Sequence, residues 1–301
     1  MKVSLVDVDG HNFPNLALMK LSAWHKANGD TVDWYMPLFS HPDKIYASKV
    51  FTFTPDYIDY NPNDPEPMRG GTGYDVTAKL PDEIEDMLPD YSIYPQYDFG
   101  IGFLTRGCIR KCPWCVVPRK EGGVRVVEDI GRIGVRKRMV LMDNNFLAAP
   151  DDFIREQTDK MRRMNIRVDF NQALDARLVD DGKAAMLSNV RWIRHVRFSC
   201  DTAAMVEPVR RAVRLMREHG YNGEFFVYVL AKEAADAHSR VVALEQMDDK
   251  AVPFVMPFRS LDGSEPDADD DVRRLARWCN RQNIRKSCTF SSYKRNNKKE
   301  E

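Results

Sequence analysis

Cys108-Ile109-Arg110-Lys111-Cys112-Pro113-Trp114-Cys115 sets three cysteines at gaps of three and then two residues, and the reading of this loop decides the fold around it. A disulfide pairs two sulfurs, and a structural zinc usually takes four ligands. The chain has six cysteines in 301 residues. It starts Met1-Lys2-Val3-Ser4-Leu5-Val6-Asp7, reaching an acid before any long apolar run, and no stretch approaches the ~20 apolar residues of a membrane helix. These features predict a cytoplasmic protein without a leader or membrane span. Free thiols or metal ligands are then the expected roles for cysteine.

Outward from the loop, a rhythm runs to about residue 260. Predicted strands are Gly100–Thr105, Arg138–Met142, Arg167–Asn171, Val196–Cys200, Glu224–Leu230 and Val252–Met256. Helical patterns such as Asp151–Met164 and Val206–His219 lie between them. Six βα units predict a parallel sheet wound with helices, too few for a closed eight-unit barrel and suited to a partial one. The cysteines follow the first of these strands, where loops at the carboxyl end of a parallel sheet build sites. Three thiolates there can hold three irons of a [4Fe–4S] cube and leave the fourth open, as a catalytic centre requires.

The first hundred residues are organised differently. Lys2–Val8 reads as a buried strand, Asn15–Asn28 as a helix with Pro14 suited to its first position, and Thr31–Tyr35 as a second strand. Nine of seventeen prolines fall in residues 36–100, where Lys49–Phe53 reads as a short strand and Gly70-Gly71-Thr72-Gly73 as a turn. The predicted class is α/β. Residues 1–97 form a small Rossmann-like domain with a Pro-rich linker, 98–260 the barrel core, and 261–301 a helical extension with a charged tail. An acidic run, Asp267 to Asp271, opens a helix over Val272–Asn280.

On the Cys-x₃-Cys-x₂-Cys loop, with Trp114 in the aromatic place before its last cysteine, the sequence resembles the radical S-adenosylmethionine superfamily over residues ~98 to ~260. The resemblance implies a (βα)₆ partial TIM-like barrel and a [4Fe–4S] cluster on Cys108, Cys112 and Cys115. It also implies that S-adenosylmethionine chelates the open iron and is cleaved to a 5′-deoxyadenosyl radical that takes hydrogen from substrate. The family's Gly-Gly-Glu segment is replaced by Asp143-Asn144, which offers acceptors for the cofactor ammonium group or a helix N-cap. Trp114, Gln172, Ser199, Asp201 and Met256 complete the expected cofactor contacts. Asn171, Asp175 and Arg177 also stand at the expected mouth, where Asp175 and Arg177 could equally form a local surface pair.

Asp9-Gly10-His11-Asn12-Phe13-Pro14 matches the Asp and His of the cobalamin-domain motif Asp-x-His-x-x-Gly but has Pro14 where that motif has glycine. The expectation is a vestigial domain in which His11 is a loop residue and cobalamin is not bound. Cys200, Cys279 and Cys288 are expected to be ordinary thiols. Lys and Arg number 45 against 45 Asp and Glu, so overall charge selects no partner. Residues 106–138 hold ten basic against three acidic residues, a local attraction for an anionic substrate or a solvated face. Substrate class stays open among small molecules, peptides and nucleic acid. An electron donor such as flavodoxin or ferredoxin is implied. Rival readings are a cobalamin-dependent radical methyltransferase and a non-enzymatic zinc or iron–sulfur regulator.

Overall fold

Four consecutive buried side chains, Val3 to Val6, make β1 (Lys2–Asp7) the centre of the first sheet. A strand covered on both faces reads as a continuous apolar run. The computed structural model describes residues 1–260 and 266–294. In it β1 pairs in parallel with β2 (Thr31–Trp34) and β3 (Lys44–Ser48), and β4 (Met68–Gly70) joins beside β3. Helix α1 (Leu16–Ala27) connects β1 to β2 and starts later than Pro14 suggests. Asn15 is its N-cap: the side-chain oxygen accepts from Leu18 N at 3.3 Å, while Nδ2 donates to Ser48 Oγ at 2.9 Å.

The strand predicted at Lys49–Phe53 is a loop, and Lys44–Ser48 takes its place beside β1. Asp9 explains the exchange. Its carboxylate accepts from Val50 N at 2.5 Å, Phe51 N at 3.3 Å and the Thr54 hydroxyl at 2.6 Å, so those groups are withdrawn from any ladder. Two short elements follow this region, α2 (Asp82–Glu85) and a 3₁₀ turn at Tyr91–Ile93.

The expected strand over Gly100–Thr105 divides into β5 (Gly100–Gly102) and β6 (Thr105–Arg106). Asp143 makes the division by accepting from the amides of Leu104 and Thr105, which ends the β5 ladder. Strand β6 turns away to pair antiparallel with β7 (Arg125–Val126), and α3 (Val117–Lys120) lies between them. After α4 (Ile130–Ile133), β8 (Arg138–Leu141), α5 (Asp151–Arg163), β9 (Arg167–Phe170), α6 (Asp181–Ser188) and the short β10 (Arg191–Trp192) build one parallel sheet, ordered β10-β9-β8-β5. Then β11 (His195–Ser199), α7 (Val206–Glu218), β12 (Glu224–Ala231), α8 (Ala234–Met247) and β13 (Ala251–Pro257) build a second, ordered β11-β12-β13.

All six expected strand regions are therefore present and, apart from the split-off β6, their ladders are parallel, but not as one continuous ladder. After Phe170 the chain passes through Ala173 in the left-handed region (φ 70°), and only the parallel bridge between Leu174 and Phe198 joins the two sheets. Alternation places Phe225, Val227, Val229 and Ala231 of β12 under the helices, while Phe226 and Tyr228 point to the other face. On that face Ile101 and Val140 share an apolar cluster with Val3, Leu5, Leu18 and Met19 of the first sheet and its helix. Residues 1–97 thus share an apolar cluster with β5 and β8 that is distinct from the main core.

The C-terminal residues form α9 (Asp270–Asn280) and α10 (Gln282–Ser287). Asp269 caps α9 through Val272 N at 2.9 Å, and acids fill its first turn as the sequence suggested. Asn280 closes the outer edge of β13: Oδ1 accepts from Val255 N at 2.7 Å and Nδ2 donates to Val255 O at 2.9 Å. One side chain thereby does for the edge strand what a neighbouring strand would. Residues 295–301, most of the expected charged tail, lie outside the described residues, as do 261–265 of the extension. Among the described residues no helix is long and apolar enough to cross a membrane.

Candidate metal centre

The pairing of β6 with β7 closes residues 107–124 into a loop that leaves no room for a side chain at Gly107. Gly107 has φ +85°, and a Cβ on it would stand 2.1 Å from Gly123 O. Its amide donates to Asn144 Oδ1 at 2.9 Å, and Cys108 N donates to Gly122 O at 3.1 Å. Cys115 N returns to Cys112 O at 3.0 Å in a tight turn. The three thiols therefore sit on a braced loop, each half-buried. Burial pushes the Cys112 and Cys115 thiols up from their ordinary range; Cys108 raises both further, and Cys112 raises Cys115. Among the described residues no group of three His, Cys, Asp or Glu converges as the shell of a single metal ion.

Cys108 Sγ accepts two hydrogen bonds at 3.3 Å, one from the Arg110 amide and one from Asn145 Nδ2. Asn145 is buried, and its Oδ1 has no hydrogen-bond partner. Beside it Asp175 is bracketed by two guanidinium groups, Arg110 Nε at 2.9 Å and Arg177 Nε at 2.7 Å. Burial pushes the Asp175 carboxyl up, but the bonds from Arg177 and Arg110 outweigh it and hold it below the carboxylate range. The Arg177 charge in turn opposes the rise at Cys112. Hydrogen bonds to sulfur and nearby cations both favour thiolate, the form that binds metal.

The residues singled out in the sequence divide by this geometry. Trp114 packs half-buried against the main core. Asp143 is buried, with all its acceptor contacts given to the chain: Leu104 N at 3.2 Å, Thr105 N at 2.6 Å and Thr105 Oγ1 at 2.7 Å. Burial raises its carboxyl to about 6. Asn144 is committed to Gly107, so this pair braces the loop instead of presenting free acceptors. Asp201 is raised by burial and lies within electrostatic reach of Arg177, Cys112 and Cys115. Ser199 is half-buried at the end of β11, Gln172 is exposed with Nε2 on Asn171 Oδ1 at 3.2 Å, and Met256 is exposed near the end of β13. Asp175 and Arg177 are paired as the local reading expected, but Asp175 is buried beside the thiols and not on the surface. Cys200 and Cys279 are buried in the main core, and Cys288 packs against it.

The carboxyl-edge loops of the first sheet reach over this region. Lys120, after the cysteines, donates to the carbonyls of Val76 and Ala78 at 3.4 and 3.3 Å. The Arg259 guanidinium, beyond β13, stands 4.1 Å from the Phe53 ring. Farther back, the His11 ring lies against Trp34 at 4.2 Å, and its carbonyl accepts from the Tyr97 hydroxyl at 2.5 Å.

Two residues of the centre escaped the sequence reading. Asn145 stood next to Asp143-Asn144 at a strand end, and Arg110 inside the cysteine loop; both positions were available as signals. Comparison with family models finds no match to this chain, and comparison with curated proteins finds none either.

Proposed function

We propose that the chain is a radical S-adenosylmethionine enzyme on a partial (βα)₆ barrel, with Cys108, Cys112 and Cys115 as cluster ligands. The observation that carries this reading is the position of three half-buried thiols on one braced loop after the first of seven parallel strands, divided between two sheets. In a cube each thiolate takes a different iron, so the three cysteines of one loop would hold three irons and leave the fourth open. The orphaned Asn145 Oδ1 and the two N–H bonds to Cys108 suit a site that expects a further polar group. When bound, such a cluster supplies one electron to S-adenosylmethionine and with it a radical that abstracts hydrogen.

The chain's own residues do the rest. Gly107 and Asn144 hold the stem of the loop, and Asp143 fixes the turn before it. Arg110 and Arg177, tied to Asp175, keep positive charge beside the thiolates and favour anionic ligands there. Arg197, Asp169 and Tyr228 fill the inner face: Arg197 holds Asp169 at 2.6 and 2.7 Å and the Tyr228 hydroxyl at 2.9 Å. These three groups are hydrogen-bonded through Arg197 on that face.

Anaerobically reconstituted, dithionite-reduced protein tests the reading by EPR. A [4Fe–4S]⁺ signal that changes on adding S-adenosylmethionine is the expected result. A colourless protein carrying zinc overturns it.

A further inference from the structure

The C-terminal helices carry segregated positive charge that the cysteine loop does not use. Between Arg273 and Lys299 the sequence holds ten Lys or Arg and no acid, in a chain whose 45 basic and 45 acidic residues cancel overall. Arg273 and Arg277 lie four residues apart on α9, about 6 Å along its axis, and Arg281, which ends the helix, continues the row. All three line one shallow surface depression with Ala276 and Asn280. Arg277 Nε donates to the Tyr293 hydroxyl at 3.1 Å, which orients the guanidinium without neutralising it. Arg273 pairs with exposed Asp270 at 2.9 Å, a contact worth little in water. The Arg281 side chain forms no hydrogen bond or ion pair among the described residues. Arg274 stands over the Phe290 ring at 4.4 Å and donates to Tyr293 O at 3.0 Å, tying α9 to the segment beyond α10.

What would occupy such a strip follows from its chemistry. Neither α9 nor α10 exposes a large apolar side chain, which a membrane-surface helix would need. Guanidinium groups bind phosphate oxygens two at a time, and a row of them fits a regularly spaced phosphate chain. We infer that the row of Arg273, Arg277 and Arg281 along α9 forms a nucleic-acid-binding surface that grips the phosphate backbone without reading bases. The inference does not depend on the cluster, since no residue of the cysteine loop takes part.

The test uses the full chain and a fluorescein-labelled, mixed-sequence 20-nucleotide single-stranded DNA, with RNA of the same sequence in parallel. Anisotropy is measured from 50 to 200 mM KCl for wild type, for R273Q/R277Q/R281Q, and for R162Q/R210Q/R214Q on the exposed faces of α5 and α7 as a charge-matched control. Thermal melts check that each variant is folded. Three lost phosphate contacts should flatten the slope of log K against log salt by about 2, at roughly 0.7 per contact on a single strand. Binding at 100 mM should weaken at least about 10-fold, with the control unchanged. A folded triple variant that binds within about twofold of wild type overturns the inference. So does a poly-glutamate peptide of equal charge, or an anionic phospholipid vesicle, that displaces the probe as well as unlabelled oligonucleotide does.

Discussion

Replacing Asp143 by Asn keeps the shape of the side chain and removes its titration. Asp143 is the most deeply buried carboxylate of the loop region, and burial carries it from the model-peptide value of 3.8 to about 6. A folded-state value above the unfolded one means that the native protein holds this proton more tightly. The resulting stability is present in full below about pH 4 and is lost as pH rises through 6. The full difference corresponds to about 3 kcal/mol, of which about 2 kcal/mol falls between pH 4 and pH 7. The wild-type chain contains other titrating carboxyls, Asp7 among them, so absolute stability is a poor readout. The difference between wild type and Asp143→Asn cancels them. Urea denaturation at pH 4, 5, 6 and 7 should show Asp143→Asn gaining about 2 kcal/mol relative to wild type across the range. With a slope m of about 3 kcal/mol per molar, that is a midpoint change somewhat below 1 M. Asp143→Ala should lose stability relative to Asp143→Asn at every pH, because two buried amides keep no acceptor at about 1–3 kcal/mol each. Parallel pH profiles for wild type and Asp143→Asn would falsify the burial argument.

Two further outcomes follow from the same loop. Gly107→Ala adds a methyl group into Gly123 O at a positive φ, so the stem of the loop must open; iron bound per chain after reconstitution should fall severalfold while the far-UV circular dichroism of the α/β core is kept, and full iron loading would count against the packing described. Asn145→Leu removes one N–H donor from Cys108 Sγ and keeps the branching of the side chain. The loss of about 1 kcal/mol of charge stabilisation should lower the cluster midpoint potential by about 40 mV for a one-electron couple, read by EPR-monitored redox titration, and an unmoved potential would remove Asn145 from that role.

The parts of this protein that local pattern controls were legible in its sequence. Alternating β12 and the amphipathic α5 and α7 announce themselves because each buries one face against a neighbour. The cysteine spacing was legible because the loop is short and all its members are close in sequence. What failed depended on partners far along the chain. Lys49–Phe53 has the composition of a strand, but Asp9, about forty residues earlier, takes its amides. Gly100–Thr105 was read as one strand because nothing local reveals that Asp143 will claim Leu104 and Thr105. Asp143 and Asn144 themselves looked like free acceptors, and their commitment to the backbone of residues 104–107 shows only in three dimensions. Arg110 and Asp175 meet across 65 residues, beyond the reach of any motif.

The closure of β13 by Asn280 also sets a schedule for synthesis. The strand is complete at Pro257, yet the amide that satisfies Val255 belongs to a residue 25 positions later. At about 5–20 residues per second, a ribosome leaves that edge bare for about 1–5 s. During that interval the Val255 N–H and C=O stand open between Pro253 and Pro257, which have no N–H to offer. Neighbouring chains on the same messenger are then the nearest alternative partners. Codon speed through residues 258–280 therefore bears on yield, and a premature stop before Asn280 leaves a product whose sheet is finished in every respect except its last edge.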